Sequence, residues 1–186
     1  MEEILHPSRR RTIVLIGMMG AGKTTTGFGL AQKLGLKFID SDREIEKAEN
    51  LTTTELFEQK GEEYFKEVEK STIKKILKTM KPQVLSIGGT AFDDSEVRQL
   101  IKERAISVFL DVDLNVLIKR VERRNSRPAL EGKDKADVMT NIYESKHDIY
   151  STADVVVNTT YLNKDTTINV IMQLISDYIN NYDKEN

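Results

Sequence analysis

Eight residues near the beginning of the chain have the types and spacing of a phosphate-binding loop. The stretch Gly17–Thr24 fits the pattern G-x-x-x-x-G-K-[ST]. It follows a short apolar run, Thr12–Ile16, and a helical pattern from Thr25 to Leu34 comes after it. A strand before the loop and a helix after it are the context in which this pattern binds phosphate. The sequence therefore predicts a P-loop that holds the phosphates of a nucleoside triphosphate.

The residues of this loop are expected to have distinct roles in binding phosphate and Mg²⁺. Glycines allow the backbone N–H groups to turn inward towards phosphate oxygens, and the helix that begins near Gly22 adds the positive end of its dipole. Lys23 brings an ammonium group to the β- and γ-phosphates, and the hydroxyl of Thr24 is placed to bind Mg²⁺. The residues predicted to contact the nucleotide in this loop are Gly20, Ala21, Gly22, Lys23, Thr24 and Thr25.

The base of the nucleotide is predicted from what the sequence lacks. Switch GTPases read guanine with N-K-x-D, and the stretch Asn163–Thr166 lacks the final Asp of that pattern. No D-x-x-G occurs between the loop and that stretch. The sequence therefore favours ATP as the phosphoryl donor.

Two acidic residues follow the second predicted strand. Asp40 and Asp42 stand where that strand ends, and ligands of parallel sheets bind at the carboxyl ends of the strands. If both residues were extended, their side chains would point to opposite sides, one towards Mg²⁺ and one towards an acceptor hydroxyl. The alternative is helix capping, with Ser41 or Asp42 as the N-cap of a helix over Arg43–Glu49.

Paired glycines and an arginine cluster follow two other strands. Gly88 and Gly89 would allow a ligand to approach the backbone, although a plain turn explains them equally well. Arginine near a γ-phosphate stabilises the charge of phosphoryl transfer. Among the four arginines at positions 120, 123, 124 and 127, Arg127 beside Pro128 is our candidate, because Arg123 and Arg124 suit the C-terminal end of a helix. Taken alone, Lys66, Lys146 and His147 are typical of a solvated helix surface.

Strands and helices alternate along the sequence. The predicted strands are Thr12–Ile16, Lys37–Asp40, Gln83–Ser86, Ile106–Leu110 and Asp154–Val157. The predicted helices are Gly22–Leu34, Arg43–Glu49, Thr53–Met80, Asp94–Glu103, Leu114–Arg123, Lys135–Tyr150 and Thr166–Tyr182, with Gly61 expected to divide the third. This alternation predicts an α/β fold, a three-layer α/β/α sandwich with a five-stranded parallel sheet.

Composition and length suggest a single domain over residues 1–186, built around the predicted P-loop. Within it, we expect an acceptor-binding helical insertion at about 43–80 and a mobile lid at about 123–137. The net charge of −2 argues against nucleic acid as a partner, and no apolar run is long enough to span a membrane. The absence of cysteine and of a signal peptide favours the cytoplasm. We expect a monomer.

These motifs together resemble the shikimate kinase family over roughly Arg11 to Tyr178. The phosphate loop, D-x-D at Asp40 and Asp42, and R-P-L (here Arg127-Pro128-Ala129-Leu130) occur in the family's order. G-E-x-x-F-R-x-x-E is matched by 61–69, with Lys66 in place of arginine. The family has three consecutive glycines after the third strand, and in this chain Thr90 replaces the third of them. Its arginine four residues before a tyrosine is Lys146, which precedes Tyr150 and the pair Ala153-Asp154.

The resemblance implies an ATP-dependent kinase with a nucleoside-monophosphate-kinase-like fold, which phosphorylates the 3-hydroxyl of shikimate in the pathway to chorismate and the aromatic amino acids. It implies that Lys23, Asp42 and Arg127 are catalytic, with Asp42 as the general base. Thr24 and, through water, Asp40 would bind the metal, and Arg120 would stack on adenine. The acceptor-binding residues that it implies are Asp42, Lys66, Gly88, Gly89 and Lys146.

The departures from the family pattern lie in the acceptor half. Lys66 and Lys146 keep the positive charge of the family's arginines but lose their planar, bidentate geometry. Thr90 stands where the same pocket has a glycine. Three functions therefore stay open: a shikimate kinase with altered affinity, a kinase of a related small polyol acid, or a nucleotide-binding paralogue without catalysis. The first is favoured, because Lys23, Asp42 and Arg127 are all present.

Overall fold

The computed structural model describes residues 11–79, 81–123 and 134–185. Five strands form one sheet in which every neighbouring pair is parallel. The strands are β1 (Thr12–Ile16), β2 (Lys37–Asp40), β3 (Gln83–Ser86), β4 (Ala105–Asp111) and β5 (Val155–Asn158). Eight α-helices of the described residues surround them: α1 (Lys23–Leu34), α2 (Ser41–Glu49), α3 (Thr53–Lys60), α4 (Glu62–Leu77), α5 (Ser95–Arg104), α6 (Leu114–Glu122), α7 (Lys135–Tyr150) and α8 (Lys164–Glu185). The α/β fold with a five-stranded parallel sheet is confirmed.

The order of the strands places the phosphate loop at the centre of the molecule. Across the sheet the order is β2-β3-β1-β4-β5, with Val14 paired to Leu85 on one side and to Ser107 on the other. All five residues of β1 are buried, as is usual for a central strand covered on both faces. The chain continues from β1 to one side of the sheet and later returns to the other. The carboxyl end of β1 is therefore the switch point at which ligands of such sheets bind.

Helix α1 continues the phosphate loop and lies between the sheet and α8. Gly22, with φ of +94°, precedes its first turn, and Gly35, with φ of +62°, ends it. A methyl group at Gly27 would lie 2.5 Å from the ring of Phe38, so the helix approaches the sheet at this glycine. On its other side, Lys33 Nζ donates a hydrogen bond to Asn169 Oδ1 of α8 at 2.7 Å. The position of the loop thus depends on packing at both faces of α1.

Helices α2, α3 and α4 form the segment that was predicted as an insertion. Gly61, with φ of +85°, ends α3 and precedes α4, so the expected interruption at this glycine is present. Ile45, Leu56 and Phe65, one from each helix, form a small hydrophobic cluster separate from the main core. Thr52 begins α3 with a capping box, in which its side chain and that of Glu55 each bond the other's backbone N–H. The three helices therefore have a core of their own beside the sheet.

None of the helices within the described ranges is both long and apolar enough to cross a bilayer.

Candidate active site

The phosphate loop forms a turn with its lysine folded back onto it. The N–H of Ala21 donates to the carbonyl of Met18 at 3.1 Å. The Lys23 ammonium donates to the carbonyls of Gly17 at 2.7 Å and of Met18 at 3.2 Å. A methyl group at Gly17, where φ is +143°, would lie 2.9 Å from the carbonyl oxygen of Leu110. The turn therefore requires glycine at this position, and it holds Lys23 beside the cradle that the triphosphate would occupy.

Helix α6 brings an arginine to the other side of the same loop. The guanidinium of Arg120 donates to the carbonyl of Gly20 at 3.2 Å. A methyl group at Gly20 would lie 3.2 Å from a methyl of Val121, so the helix packs directly against the turn. Arg123 caps the C-terminal end of α6. Arg120 is thus next to the nucleotide loop, and its contact with the base stays a prediction.

A hydroxyl and a carboxylate meet beside the loop. The Thr24 hydroxyl donates to Asp40 Oδ2 at 2.8 Å; Thr24 lies in the first turn of α1, and Asp40 ends β2. Oxygen ligands of this kind suit Mg²⁺, which usually keeps several waters and binds through one or two protein groups and the substrate phosphates. No group of three or more acidic or histidine side chains that could hold a metal ion occurs in the residues described. The pair therefore fits a metal held partly by water and nucleotide.

Asp40, rather than Ser41 or Asp42, is the N-cap of the following helix. Its Oδ1 accepts a hydrogen bond from the N–H of Asp42 at 3.2 Å, and the helix begins at Ser41. The helix alternative for this stretch was thus correct, but its predicted capping residue was wrong. The premise that both acids are extended is also wrong, because Asp42 lies in the first helical turn. From this first turn the side chain of Asp42 still points away from Asp40, towards Gly88 after β3.

Asp42 points at the backbone that follows β3. A methyl group placed on Gly88 would lie 3.2 Å from Asp42 Oδ1 and 2.0 Å from Glu69 Oε1. Gly88 donates its N–H to the hydroxyl of Ser41 at 3.2 Å. Only glycine fits between these groups without a shift. Gly88 is therefore more than a plain turn residue, because two carboxylates from α2 and α4 approach its Cα.

Glu69 is a buried acid in this pocket. Its residue is 1% exposed, and Oε2 accepts a hydrogen bond from the Thr90 hydroxyl at 2.7 Å. Its other oxygen, Oε1, has no hydrogen-bond partner among the described residues. Burial, with a smaller contribution from the charge of Asp42, raises the pKa of Glu69 to about 7. The threonine that replaces the family's third glycine is thus a partner of this carboxyl group.

The two lysines predicted to bind the acceptor have different surroundings. Lys66 lies on the outer side of α4, with its side chain 53% exposed, and its Nζ is 2.7 Å from Glu62 Oε1. That hydrogen bond raises the pKa of Lys66. Lys146 of α7 is 15% exposed; its Nζ donates to the carbonyl of Gly89 at 2.9 Å and lies 2.5 Å from Asp93 Oδ2. Lys146 is therefore at the predicted pocket, whereas the ammonium of Lys66 is turned towards solvent.

The carbonyl of Gly89 is shared by two donors of α7. Besides Lys146, the hydroxyl of Tyr150 donates to it. Tyr150 is 1% exposed, and burial raises the pKa of its phenol. The loop after β3 is thus held to α7 by the hydrogen bonds to the Gly89 carbonyl, and to α2 by the hydrogen bond from Gly88 to Ser41.

The structure and the sequence predictions differ for a few residues at and near the site. Arg127 is outside the described residues. His147, expected at the surface, is half-buried, with Nε2 3.5 Å from Asp111 Oδ1 and its ring near Tyr143. Sequence reasoning gave Glu69 no role, although it matches the last position of the 61–69 motif. Nothing in the sequence pointed to Asp93, because its side chain meets Lys146 only in the folded chain.

Comparisons with known proteins agree with this geometry. The sequence model of the family described as shikimate kinase matches residues 19–176. A shikimate kinase of Caulobacter vibrioides is 43% identical over 155 residues, covering 83% of this chain and 77% of that protein. One from Bartonella quintana is 36% identical and covers 96% and 84%.

Solved structures give the same result. A shikimate kinase from Acinetobacter baumannii in complex with shikimate superposes with a TM-score of 0.85 at 32% identity, covering 89% of this chain and 93% of that chain. A gluconokinase from Sinorhizobium meliloti, at 16% identity and a TM-score of 0.62, shares the fold alone. The family model and the relatives match this chain over most of its length, and the phosphate loop, the D-x-D pair and the pocket after β3 lie at the same edge of the sheet. The chain therefore belongs to the shikimate kinase family, whose members are ATP-dependent kinases.

Proposed function

We propose that this chain transfers the γ-phosphoryl group of ATP to the 3-hydroxyl of shikimate. The observation that carries the proposal is the junction of β2 and α2. Asp40 there contacts Thr24 of the nucleotide loop at 2.8 Å, and Asp42, two residues later, approaches Gly88 of the acceptor pocket. One turn of the chain thus joins the predicted metal site to the predicted acceptor site.

The residues present fit this reaction. We propose that Lys23 leaves the loop carbonyls for the β- and γ-phosphates, and that Arg120 stacks on the base. The remaining loop residues, with their N–H groups, would hold phosphate oxygens. Thr24 and, through water, Asp40 would hold Mg²⁺, which neutralises charge on the phosphates when bound. Arg127 would close over the transferring group.

Asp42 is the proposed general base. The acceptor oxygen would attack the γ-phosphorus while the bond to the bridging oxygen breaks and ADP leaves. The hydroxyl proton would pass to the Asp42 carboxylate. Gly88 and Gly89 would approach the ring of the acceptor, and Lys146 would attract its carboxylate, with Lys66 recruited from the outer face of α4. We further propose a monomer, since one chain supplies the whole site, acting in the cytoplasm where ATP is available.

A coupled assay of ADP release tests the reaction. With ATP, Mg²⁺ and millimolar shikimate, the rate should depend on shikimate. Asp42→Asn should lower kcat at least about 100-fold, because general-base catalysis typically contributes that much, while the KM for ATP stays within about twofold. No shikimate-dependent rate would contradict the acceptor, and full activity of Asp42→Asn would contradict the base.

A second acceptor is favoured by one observation. Lys66 is paired with Glu62 and its side chain is 53% exposed, so of the two lysines that replace the family's arginines only Lys146 contacts the loop after β3 in the described residues. A kinase of another small polyol acid would explain this. For such an enzyme, the double change Lys66→Arg and Lys146→Arg would not improve kcat/KM for shikimate. For a shikimate kinase, we expect it to rise about tenfold, because each bidentate guanidinium adds a charge-assisted hydrogen bond.

A further inference from the structure

Asp93 lies within the acceptor pocket and has no part in the phosphate site. It ends the short 3₁₀ turn Ala91–Asp93, which follows the paired glycines after β3. Its Oδ2 is 2.5 Å from Lys146 Nζ. The turn does not need this carboxylate for its own fold, because the N–H of Asp93 bonds the carbonyl of Thr90 and its carbonyl accepts from Arg98.

Lys146 does not need Asp93 to stay at the pocket. The carbonyl of Gly89 accepts a hydrogen bond from its ammonium at 2.9 Å. Its stem lies on α7, which the buried Tyr150 anchors to the same carbonyl. The ion pair with Asp93 therefore adds charge compensation to a lysine that is already positioned.

Acidic side chains surround the pocket. Asp42 and Glu69 approach Gly88 from α2 and α4, and Asp93 shares the ammonium of Lys146 with the carbonyl of Gly89. The second cation, Lys66, is held by Glu62 on the outer face of α4. An acceptor whose carboxylate binds Lys146 would thus have to replace Asp93 at that ammonium.

We infer that Asp93 is a specificity-determining residue that competes with the carboxylate of the acceptor for Lys146, and so weakens the binding of anionic acceptors relative to neutral ones. This rests on the proposed function, which supplies the anionic acceptor. Because Asp93 and the acceptor carboxylate compete by charge for Lys146, the competition changes the affinity for the acceptor. It does not change the rate of phosphoryl transfer.

The test replaces the charge and keeps the shape. In Asp93→Asn, the amide oxygen can still accept from Lys146, but the negative charge is gone. We expect the KM for shikimate to fall about twofold to fivefold, the range for partly exposed ion pairs, with kcat and the KM for ATP changed less than 1.5-fold. Shikimate methyl ester, which has no carboxylate charge, should show the same KM in both proteins.

A charge change outside the pocket serves as the control. Glu67→Gln removes one negative charge from the exposed side of α4 and should leave the KM for shikimate unchanged. An unchanged or raised KM in Asp93→Asn would overturn the inference, as would an equal fall in the KM for the ester, because that would indicate a change of shape.

Calorimetry separates this inference from the proposed function. If neither protein turns over shikimate, the proposed acceptor fails, and titration with shikimate still compares the two dissociation constants. Tighter binding of the acid by Asp93→Asn, with equal binding of the ester, would support the competition. Equal dissociation constants, or no binding by either protein, would overturn it.

Discussion

Glu69 has an environment that differs strongly from that of an ordinary glutamate. It is buried beside Asp42 and has a single described hydrogen-bond donor, Thr90. Because burial raises its folded-state pKa to about 7, the folded protein keeps a proton that the unfolded chain, with a pKa near 4.5, has lost. Between these two values the folded state binds more protons, so the free energy of unfolding falls as pH rises from 4.5 to 7.

This gives a prediction for Glu69→Gln. The amide cannot ionise, so the variant should lack this loss of stability. By the same linkage, the free energy of unfolding of the variant should exceed that of the wild type by about 3 kcal/mol at pH 8. This difference should shrink towards pH 5. Urea unfolding at pH 5, 6, 7 and 8 measures it. The exposed neighbour change Glu67→Gln should keep the wild-type slope. Parallel pH profiles for Glu69→Gln and wild type would show that Glu69 is charged in the folded protein throughout.

The site was predictable at residue level where a motif carries the chemistry in its own backbone. Gly17–Thr24 forms the turn that its spacing predicts, because the glycines and the following helix are local in sequence. The orientation of Lys66 could not be predicted, since Glu62, one turn before it, competes with the pocket for its ammonium. Asp93 was missed because its partner, Lys146, is 53 residues away in sequence.

At the scale of elements, the strands were predicted well and the helix boundaries less well. β1, β2 and β3 have their predicted bounds, because each is a short apolar run between turn residues. α2 begins at Ser41, two residues early, since Asp40 serves both as the last strand residue and as the cap. The 3₁₀ turn at Ala91–Asp93 was missed, because three residues show no periodicity. The order of the strands across the sheet rests on long-range pairing, which no local pattern reports.

Helix α1 allows a matched test of close packing. A methyl group at Gly27 would lie 2.5 Å from Phe38 and 3.1 Å from Leu15 Cδ1, which is fully buried. At Gly29, the nearest atoms are the ends of two long side chains, Ile168 and Lys164. We expect Gly27→Ala to lower the free energy of unfolding by about 1–3 kcal/mol through overpacking.

Gly29→Ala is the control in the same helix. Lys164 can move aside, whereas Ile168 is 1% exposed and must shift its terminal methyl group within the core. Alanine favours a helix by about 1 kcal/mol over glycine, which offsets this shift, so the variant should stay within about 1 kcal/mol of wild type. Chemical unfolding measures both variants. A Gly27→Ala protein as stable as Gly29→Ala would mean that Phe38 moves easily and that the helix does not depend on this contact.

At the scale of the whole molecule, a ligand held by the loop should stabilise the entire fold, because α1 is packed between the sheet and α8. With Mg²⁺ and a non-hydrolysable ATP analogue at about 100 times its Kd, linkage gives about 2.7 kcal/mol, or a rise in Tm of roughly 5–10 °C. EDTA should reduce the rise, since the phosphates then lose the metal.

Lys23→Met is the matched variant for this measurement. It should keep a Tm close to that of the ligand-free wild type, because the turn of the loop is formed by its glycines and by the hydrogen bond from the N–H of Ala21 to the carbonyl of Met18. It should lose most of the ligand-induced rise and all measurable turnover. The same rise in Tm for this variant and for the wild type would contradict the role given to the lysine.

The contact between α1 and α8 also has a consequence for how the protein is made. Lys33 and Asn169, which meet across this contact, are 136 residues apart in the chain. At about 5–20 residues per second, a ribosome needs roughly 7–27 s to pass from one to the other. During that interval the outer face of the phosphate-binding helix has no cover from α8. The segment with the most recognisable chemistry is thus synthesised early but reaches its final packing late, and a chaperone that shields apolar helix faces would find its target there.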